Sequence, residues 1–450
     1  MSSCPIMAKI NHQAVIGIDN VPIVAEPNVG GDRPTSLVQL ASQNTGVLDD
    51  DQEFWWKATA GSLSQLLTSC EYDKEDRISH LSWYRRWIIP ALGPRPAQSN
   101  DPLHKSCLVF DGSTCEFSMN WKEREPNQIV RFNIEAMSHK AGTDADPFNQ
   151  QPALDLLRRL SQEYPDLRLT QFEELAEEFF LSLEYARSLK TRLPPGTPQS
   201  RVWVGFDLVK GGFRAKAYFI PFLKATEEGL SVKELAFRAV KRLSCTYGSF
   251  NKSLSVLDDY LASFDQGNAP GVAIVAIDCF DSPEARLKIY LETTANTLMK
   301  VKGLYSLGGR LSSSEIDQGL CTLGQLWEVL FKLSPGDQET ADIFGSGPYC
   351  GISFEMKPGG SVPEPKVYIP SRLVASDAQH CETLATWFAM RGHYELAKVY
   401  EERLRAAFPL QKMDESWGMH SFISFAYTSK SGAYMSMYYT TRIPEINLVI

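Results

Sequence analysis

No stretch of about 20 apolar residues occurs anywhere in the 450-residue sequence, so no segment reads as a membrane-spanning helix. The opening residues lack a basic stretch followed by an apolar core, so no secretory signal is expected. The last residues, Asn447-Leu448-Val449-Ile450, carry no prenylation box. Nine cysteines are scattered without a Cys-x-x-Cys pair; an odd, dispersed set reads as buried reduced thiols and points to the cytoplasm. The seven histidines show no metal-ligand spacing, and no serine sits in a nucleophile elbow. Gly345-x-Gly347 and Gly308-Gly309 lack the strand–loop–helix context of a nucleotide fingerprint. An excess of positive charge is missing too. Lys and Arg number 45 against 54 Asp and Glu, a formal charge of −9, which speaks against nucleic acid or an anionic membrane as partners. A local cationic pocket is not excluded by that balance.

The apolar fraction, 43%, is enough for a sizeable core. Length alone suggests two or three domains, but a closed barrel can run this long as one unit. Residues 1 to about 45 are polar, broken by proline and glycine and without a period, and read as a mobile tail. Residues 46–450 are expected to form one domain, with order starting at Asp49-Asp50-Asp51. These cap a helix through Trp55, Trp56, Leu63, Leu66 and Leu67. A second helix carries Tyr84 to Ile89 and stops at Pro90.

The hydrophobic period then alternates between two kinds. Residues 106–120 and 128–137 have period two and predict a hairpin. Phe172, Leu175, Phe179 and Leu183 keep helical spacing. A second hairpin is expected at about 201–220, flanking Lys210-Gly211-Gly212. Helix over 231–264 precedes strands over 271–292, helix over 293–333 precedes strands over 350–370, and helix over 376–408 precedes a last hairpin over 420–442. One basic or tyrosine position recurs, at Arg131, Lys216, Lys288, Lys366 and Tyr438, at intervals of 85, 72, 78 and 72 residues. This is repetition of structure without repetition of sequence. The expected fold is α+β: ten antiparallel strands closed into one barrel and ringed by helices, wide enough to hold a central ligand chamber.

Period-two spacing puts Arg286, Lys288 and Tyr290 on one strand face, as it does Lys216 with Tyr218, Lys366 with Tyr368, and Tyr434 with Tyr438. Their neighbours on the other face are apolar: Leu287, Ile289, Ala217, Phe219, Val367, Ile369, Met435 and Met437. In a barrel wrapped by helices the apolar face meets the helices and the cation-and-tyrosine face lines the lumen. A single Lys-x-Tyr on a strand is usually a solvated face; recurrence in four of five hairpins is what favours a lumen. Buried like charges need a counter-charge, and a diphosphate would supply one through charge-assisted hydrogen bonds. Tyrosine faces would shield a carbocation by cation–π attraction, about 0.5–2 kcal/mol each. Glu116, on the first hairpin, is placed to accept from an acceptor N–H or O–H. Other candidates are weaker. Asp49 to Glu53 resembles an Asp-rich magnesium motif but opens an amphipathic helix, where capping explains it. Asp258-Asp259 reads as a solvated pair, and His139 and His420 as structural.

With these pieces in place the chain resembles the dimethylallyltryptophan synthase family of fungal aromatic prenyltransferases, over about residues 45–442. The likeness rests on Asp51-Gln52-x-x-Trp55-Trp56, Ile89-Pro90-Ala91-Leu92-Gly93-Pro94, Asp146-Pro147-Phe148-Asn149, Arg286-Leu287-Lys288-Ile289-Tyr290, Leu307-Gly308-Gly309-Arg310-Leu311 and Ala433-Tyr434-Met435-Ser436-Met437-Tyr438-Tyr439. It implies a ten-stranded barrel of five ααββ units and transfer of an isoprenyl group from its diphosphate to an indole, with no metal or other cofactor required. It implies a diphosphate site of Arg131, Lys216, Arg286, Lys288 and, at a position often Gln, Lys366. A tyrosine shield of Tyr218, Tyr290, Tyr368, Tyr434 and Tyr438 is implied as well. Glu116 would accept the indole N–H, and Leu108 would line the acceptor site.

Two departures bear on the acceptor. Members that prenylate free tryptophan at C4 carry a lysine base where this chain has Trp203, four residues before Asp207. They hold the carboxylate with an arginine where this chain has Ala273. Both disfavour free tryptophan and fit a neutral, larger acceptor, such as a tryptophan-containing cyclic dipeptide or a polycyclic indole; a phenolic ring is an alternative. Asn133 stands where relatives often have a small residue. Gly351 stands where relatives restricted to the five-carbon donor carry a bulky plug, so geranyl diphosphate is expected alongside dimethylallyl diphosphate. Its odd separation from Lys366 would set the two on opposite faces unless the Pro358-Gly359-Gly360 turn resets the register. Two other classes compete: a non-catalytic barrel storing a phosphorylated hydrophobic ligand, which needs no Glu116, and a phosphohydrolase, which needs a metal or nucleophile. The oligomeric state is left open, a homodimer included.

Overall fold

The computed structural model describes residues 15–18, 36–43, 45–96, 103–125, 127–194, 196–265, 268–280, 285–333, 339, 341–344 and 349–441. Its strands are β1 (Ile16–Gly17), β2 (Cys115–Lys122), β3 (Val130–Ile134), β4 (Val202–Val209), β5 (Gly212–Phe219), β6 (Gly271–Asp278), β7 (Leu287–Glu292), β8 (Gly351–Met356), β9 (Glu364–Ile369), β10 (His420–Thr428) and β11 (Gly432–Thr440). Strands β2 to β11 form a ring of antiparallel neighbours, β5-β4-β3-β2-β11-β10-β9-β8-β7-β6, which the β5–β6 pairing closes. Five hairpins make this ten-stranded barrel, as the alternating pattern predicts. Thirteen α-helices among the described residues accompany it, and none is long and apolar enough to cross a membrane.

The outward strand face packs on the helices as one apolar layer. Phe117, Phe132, Phe206 and Ala215 stand side by side across β2 to β5 and are at most 1% exposed. Ile289, Phe354, Val367, Phe425 and Met435 continue the layer around the ring and belong to the same buried cluster. Burying each such side chain contributes about 1.5–3 kcal/mol. The helix Asp50–Ser69 begins as expected: Asp49 and Gln52 form a capping box, so the acidic run is a helix start. The helix Lys74–Trp83 passes through a π turn, Tyr84–Ile88, into a short 3-10 turn that carries Pro90.

Three expectations need correction. Within residues 1–45, read as a tail, two described pieces are structured. Ile16-Gly17 pairs with Phe213 and Gly212 of β5, and Leu37–Gln43 is a helix with Ala41 fully buried. Such short pieces carry too little periodicity to be read alone. The first strand starts at Cys115 rather than near 106, because Asp111 Oδ1 accepts from Ser113 N (2.9 Å) and Gly112 takes φ +82°, which breaks an extended run. The helix through Phe172 ends at Phe179, and Leu183 opens a new helix capped by Ser182.

Candidate active site

The register decides which side chains share the interior. Lys216 pairs with Gly205 and Asp278, Lys288 with Ala276 and Glu355, and Ser353 with Lys366. Ser436 pairs with Ser424 and Asn120, and Ser118 with Arg131. All lie on the face opposite the apolar layer, so the expected cations converge inside the barrel.

Three carboxylates, not singled out in the sequence, lie among them. Asp207 is 3.2 Å from Arg131 Nε, and its two oxygens accept from Lys216 Nζ at 2.6 and 2.5 Å. Asp278 accepts from Arg286 Nε at 2.7 Å. Glu355 lies 3.3 Å from Arg286 and 3.0 Å from Lys288. The inference that a bound anion must supply all the counter-charge is therefore corrected: the protein supplies part of it. Finding these acids required the register, which sets Asp278 beside Lys216 and Glu355 beside Lys288. Burial would push the Asp207 and Glu355 carboxyls up, but their cationic neighbours hold both far below the usual carboxylate range.

Lys366 is held differently. Its Nζ donates to Ser436 Oγ (3.3 Å) and lies 4.3 Å from the centroid of the Tyr434 ring. Burial and the neighbouring cations bring its ammonium down to about 8; burial does the same to Lys216, against the pull of Asp207. Burial alone would raise the Tyr434 phenol, but Arg131, Lys366 and Lys216 outweigh it and bring the group down to about 6.

The other four tyrosines form an arc. Ring centroids are 6.1 Å apart for Tyr218 and Tyr290, 5.5 Å for Tyr290 and Tyr368, and 6.2 Å for Tyr368 and Tyr438. Burial pushes all four phenols well up, so they stay neutral. Tyr434 is placed apart from them, four residues along β11 among Lys122, Arg131 and Lys366.

The arc opens into a cavity of about 510 Å³, lined also by Leu108, Glu116, Asn133, Trp203, Ala273 and Gly351. Glu116 is 6% exposed. It accepts from Ser421 Oγ (2.8 Å) and Asn133 Nδ2 (3.4 Å), and burial lifts its carboxyl to about 7 against these hydrogen bonds. Room for Asn133 comes from Gly205: a Cβ there would lie 2.5 Å from Asn133 Oδ1 and 3.0 Å from the Tyr218 ring. Gly351 pairs with Tyr368, so the turn does reset the register and places this glycine on the cavity side. Trp203 Nε1 is buried with no hydrogen-bond partner. The Leu108 loop is tied down by Glu135, whose carboxylate lies 2.7 Å from His104 Nε2 and accepts from Ser106 Oγ (2.7 Å) and Ser200 Oγ (2.5 Å). Sequence reasoning missed this buried network, and also Ser421. His420 is structural as expected, fully buried against Asp377 and Tyr400. Among the described residues no group of three His, Cys, Asp or Glu side chains could hold a metal ion.

Chemically, one end of the interior suits a polyanion, the arc suits a cation, and Glu116 offers a carboxylate to a ring N–H. Known proteins resemble this chain in sequence and in fold. The profile of the tryptophan dimethylallyltransferase family matches residues 51–403. The prenyltransferase iacE of Pestalotiopsis fici is 37% identical, covering 91% of this chain and 96% of that protein. The 7-dimethylallyltryptophan synthase of Aspergillus fumigatus is 31% identical, covering 87% and 85%. Deoxybrevianamide E synthase notF of an Aspergillus species is 30% identical, covering 87% of each. The structure of NotF in complex with brevianamide F and DMSPP has a TM-score of 0.79 over 91% of this chain and 99% of that one.

Proposed function

The chain belongs to the tryptophan dimethylallyltransferase family and is an aromatic prenyltransferase, and we propose that it transfers a dimethylallyl group from its diphosphate to the indole of a neutral acceptor larger than tryptophan, such as a tryptophan-containing cyclic dipeptide. The observation that carries this reading is one barrel interior that holds clustered cations, an aromatic arc and one hydrogen-bonded carboxylate, the arc and the carboxylate lining the cavity.

Arg131, Lys216, Arg286, Lys288 and Lys366 bind the diphosphate and stabilise the charge that builds up as the allylic C–O bond breaks. They do the work that a divalent metal does elsewhere, so none is required. Tyr218, Tyr290, Tyr368 and Tyr438 face the allylic cation and keep water from it. Tyr434 serves the diphosphate end, bracing Lys366 and Arg131. Glu116 accepts the indole N–H, orienting the ring for attack and offsetting the positive charge that develops in it. A carboxyl titrating near 7 also suits proton uptake at neutral pH.

The acceptor side supports a neutral molecule. Among the described residues lining the cavity, only Glu116 and Glu292 are charged, and both are acids. An amino-acid carboxylate would meet no cation there. Incubation of dimethylallyl diphosphate with L-tryptophan, cyclic dipeptides and polycyclic indoles, with products read by mass spectrometry and NMR, tests the assignment. A kcat/KM for L-tryptophan above every neutral indole would overturn the acceptor reading.

A further inference from the structure

Asp207 lies at the diphosphate end, is 4% exposed, and has no role in the scheme so far. Its two oxygens grip Lys216 Nζ at 2.6 and 2.5 Å, and Arg131 lies 3.2 Å away. A lysine as enclosed as Lys216, 8% exposed, favours the neutral amine unless an acid holds its proton. The groups that face it are Arg131 from β3, Asp207 from β4, Asp278 from β6, Lys288 from β7, and Lys366 and Tyr434 across the barrel. The cations among them oppose its charge. Asp278 is engaged with Arg286 through both oxygens, at 2.7 and 3.2 Å. Asp207 is thus the acid that holds Lys216 charged.

We propose that Asp207 is a positioning residue of the donor site, keeping Lys216 protonated and binding it to Arg131 as one unit that is ready for an anion at neutral pH. The inference rests on the donor-site reading above. The protonated lysine is the binding form, and it is lost as pH rises through the pKa of Lys216. With Asp207 in place that occurs at about 8; without its charge it occurs at lower pH. Asp207 also repels a bound diphosphate, so its neutralisation helps binding wherever Lys216 remains charged. The two effects have opposite signs, and pH separates them.

The test uses the full chain and inorganic pyrophosphate, with Kd measured by calorimetry from pH 6 to 9 and competition against dimethylallyl diphosphate as a check. Asn fills the volume of Asp and still accepts from Lys216. The ratio of Kd for Asp207→Asn to Kd for the parent cancels the titration of pyrophosphate itself. We expect that ratio to be one or less at pH 6, to climb up to about tenfold per pH unit between the lowered lysine pKa and the parent value of about 8, and to level off above it. Asp207→Glu should restore the parent profile, and Asp207→Asn combined with Lys216→Arg should flatten the climb, because a guanidinium keeps its proton. A ratio that is independent of pH, or a climb that survives Lys216→Arg, overturns the inference. If Asp207→Asn does not fold, Lys216→Arg decides: it keeps the ion pair and must shrink the parent's loss of pyrophosphate binding above pH 8 to the part that Lys366, also brought down to about 8, accounts for, the part that Lys366→Arg removes. Pyrophosphate that binds the parent without competing with dimethylallyl diphosphate would instead defeat the donor-site reading.

Discussion

Replacing Gly351 by methionine tests whether the cavity is long enough for a ten-carbon donor. Gly351 opens β8 opposite Tyr368, on the cavity side. A Cβ built there would lie 3.6 Å from Leu291 O and 3.8 Å from Tyr368 Cβ, ordinary contact distances, and its φ is not positive. A side chain is therefore tolerated by the backbone and occupies space that glycine leaves open. Geranyl diphosphate adds five carbons to the dimethylallyl group. At about 0.8 kcal/mol per buried CH₂ the gain is at most about 4 kcal/mol, or about a thousandfold in kcat/KM. Ordering the longer chain takes back part of that gain. The parent should thus turn over both donors. In Gly351→Met the side chain fills the end of the channel, and geranyl turnover should fall at least a hundredfold while dimethylallyl turnover stays within about threefold. The assay is kcat/KM for both donors in both proteins, with thermal melts to verify folding. Equal losses for the two donors, or a parent inert toward geranyl diphosphate, would refute the reasoning.

Lys216→Ala or Lys288→Ala should weaken donor binding and slow ionisation together, by about 30- to 1000-fold in kcat/KM (about 2–4 kcal/mol); near-parental kinetics in both would remove the cations from the scheme. Glu116→Gln should keep the fold and the donor affinity but lose most alkylation. Because burial lifts the Glu116 carboxyl to about 7 and the anion is the working form, parental kcat/KM should fall about tenfold per unit below pH 7 and level off above it; a parent without that acidic limb, or a fully active Gln variant, would reassign the role. Enzyme dialysed against EDTA should keep full turnover, and rescue of a dead preparation by Mg²⁺ would contradict the charge assignment.

The barrel was legible because two periods alternate along the chain and one lumen position recurs at every hairpin. Lys216, Lys288 and Lys366 could each be assigned to the lumen from local alternation, without knowledge of strand pairing. The partners of those cations could not. Asp278 ends an apolar strand and Glu355 is the penultimate residue of β8, and only cross-strand register puts them beside Lys216 and Lys288. Tyr434 illustrates the same limit: alternation gives its face but not its level along the barrel, and so does not separate it from the four tyrosines of the arc. Glu135 was invisible for another reason. Its partners His104, Ser106 and Ser200 come from loops, where no period exists to align them.

Strand β2 lies between β3 and β11, so the ring is sealed by a seam between the first and last hairpins, Tyr438 against Ser118 and Ser436 against Asn120. More than three hundred residues separate the two sides of that seam. A ribosome therefore has to release the final hairpin before any chamber exists, and a nascent chain cannot be rescued early by its donor. Until then β2 and β9 each present an unpaired edge that carries aromatic or β-branched residues, a surface prone to wrong pairing. Such long-range closure is slow, and the yield of active protein in a foreign host should depend on synthesis rate and temperature more than on the stability of the finished barrel.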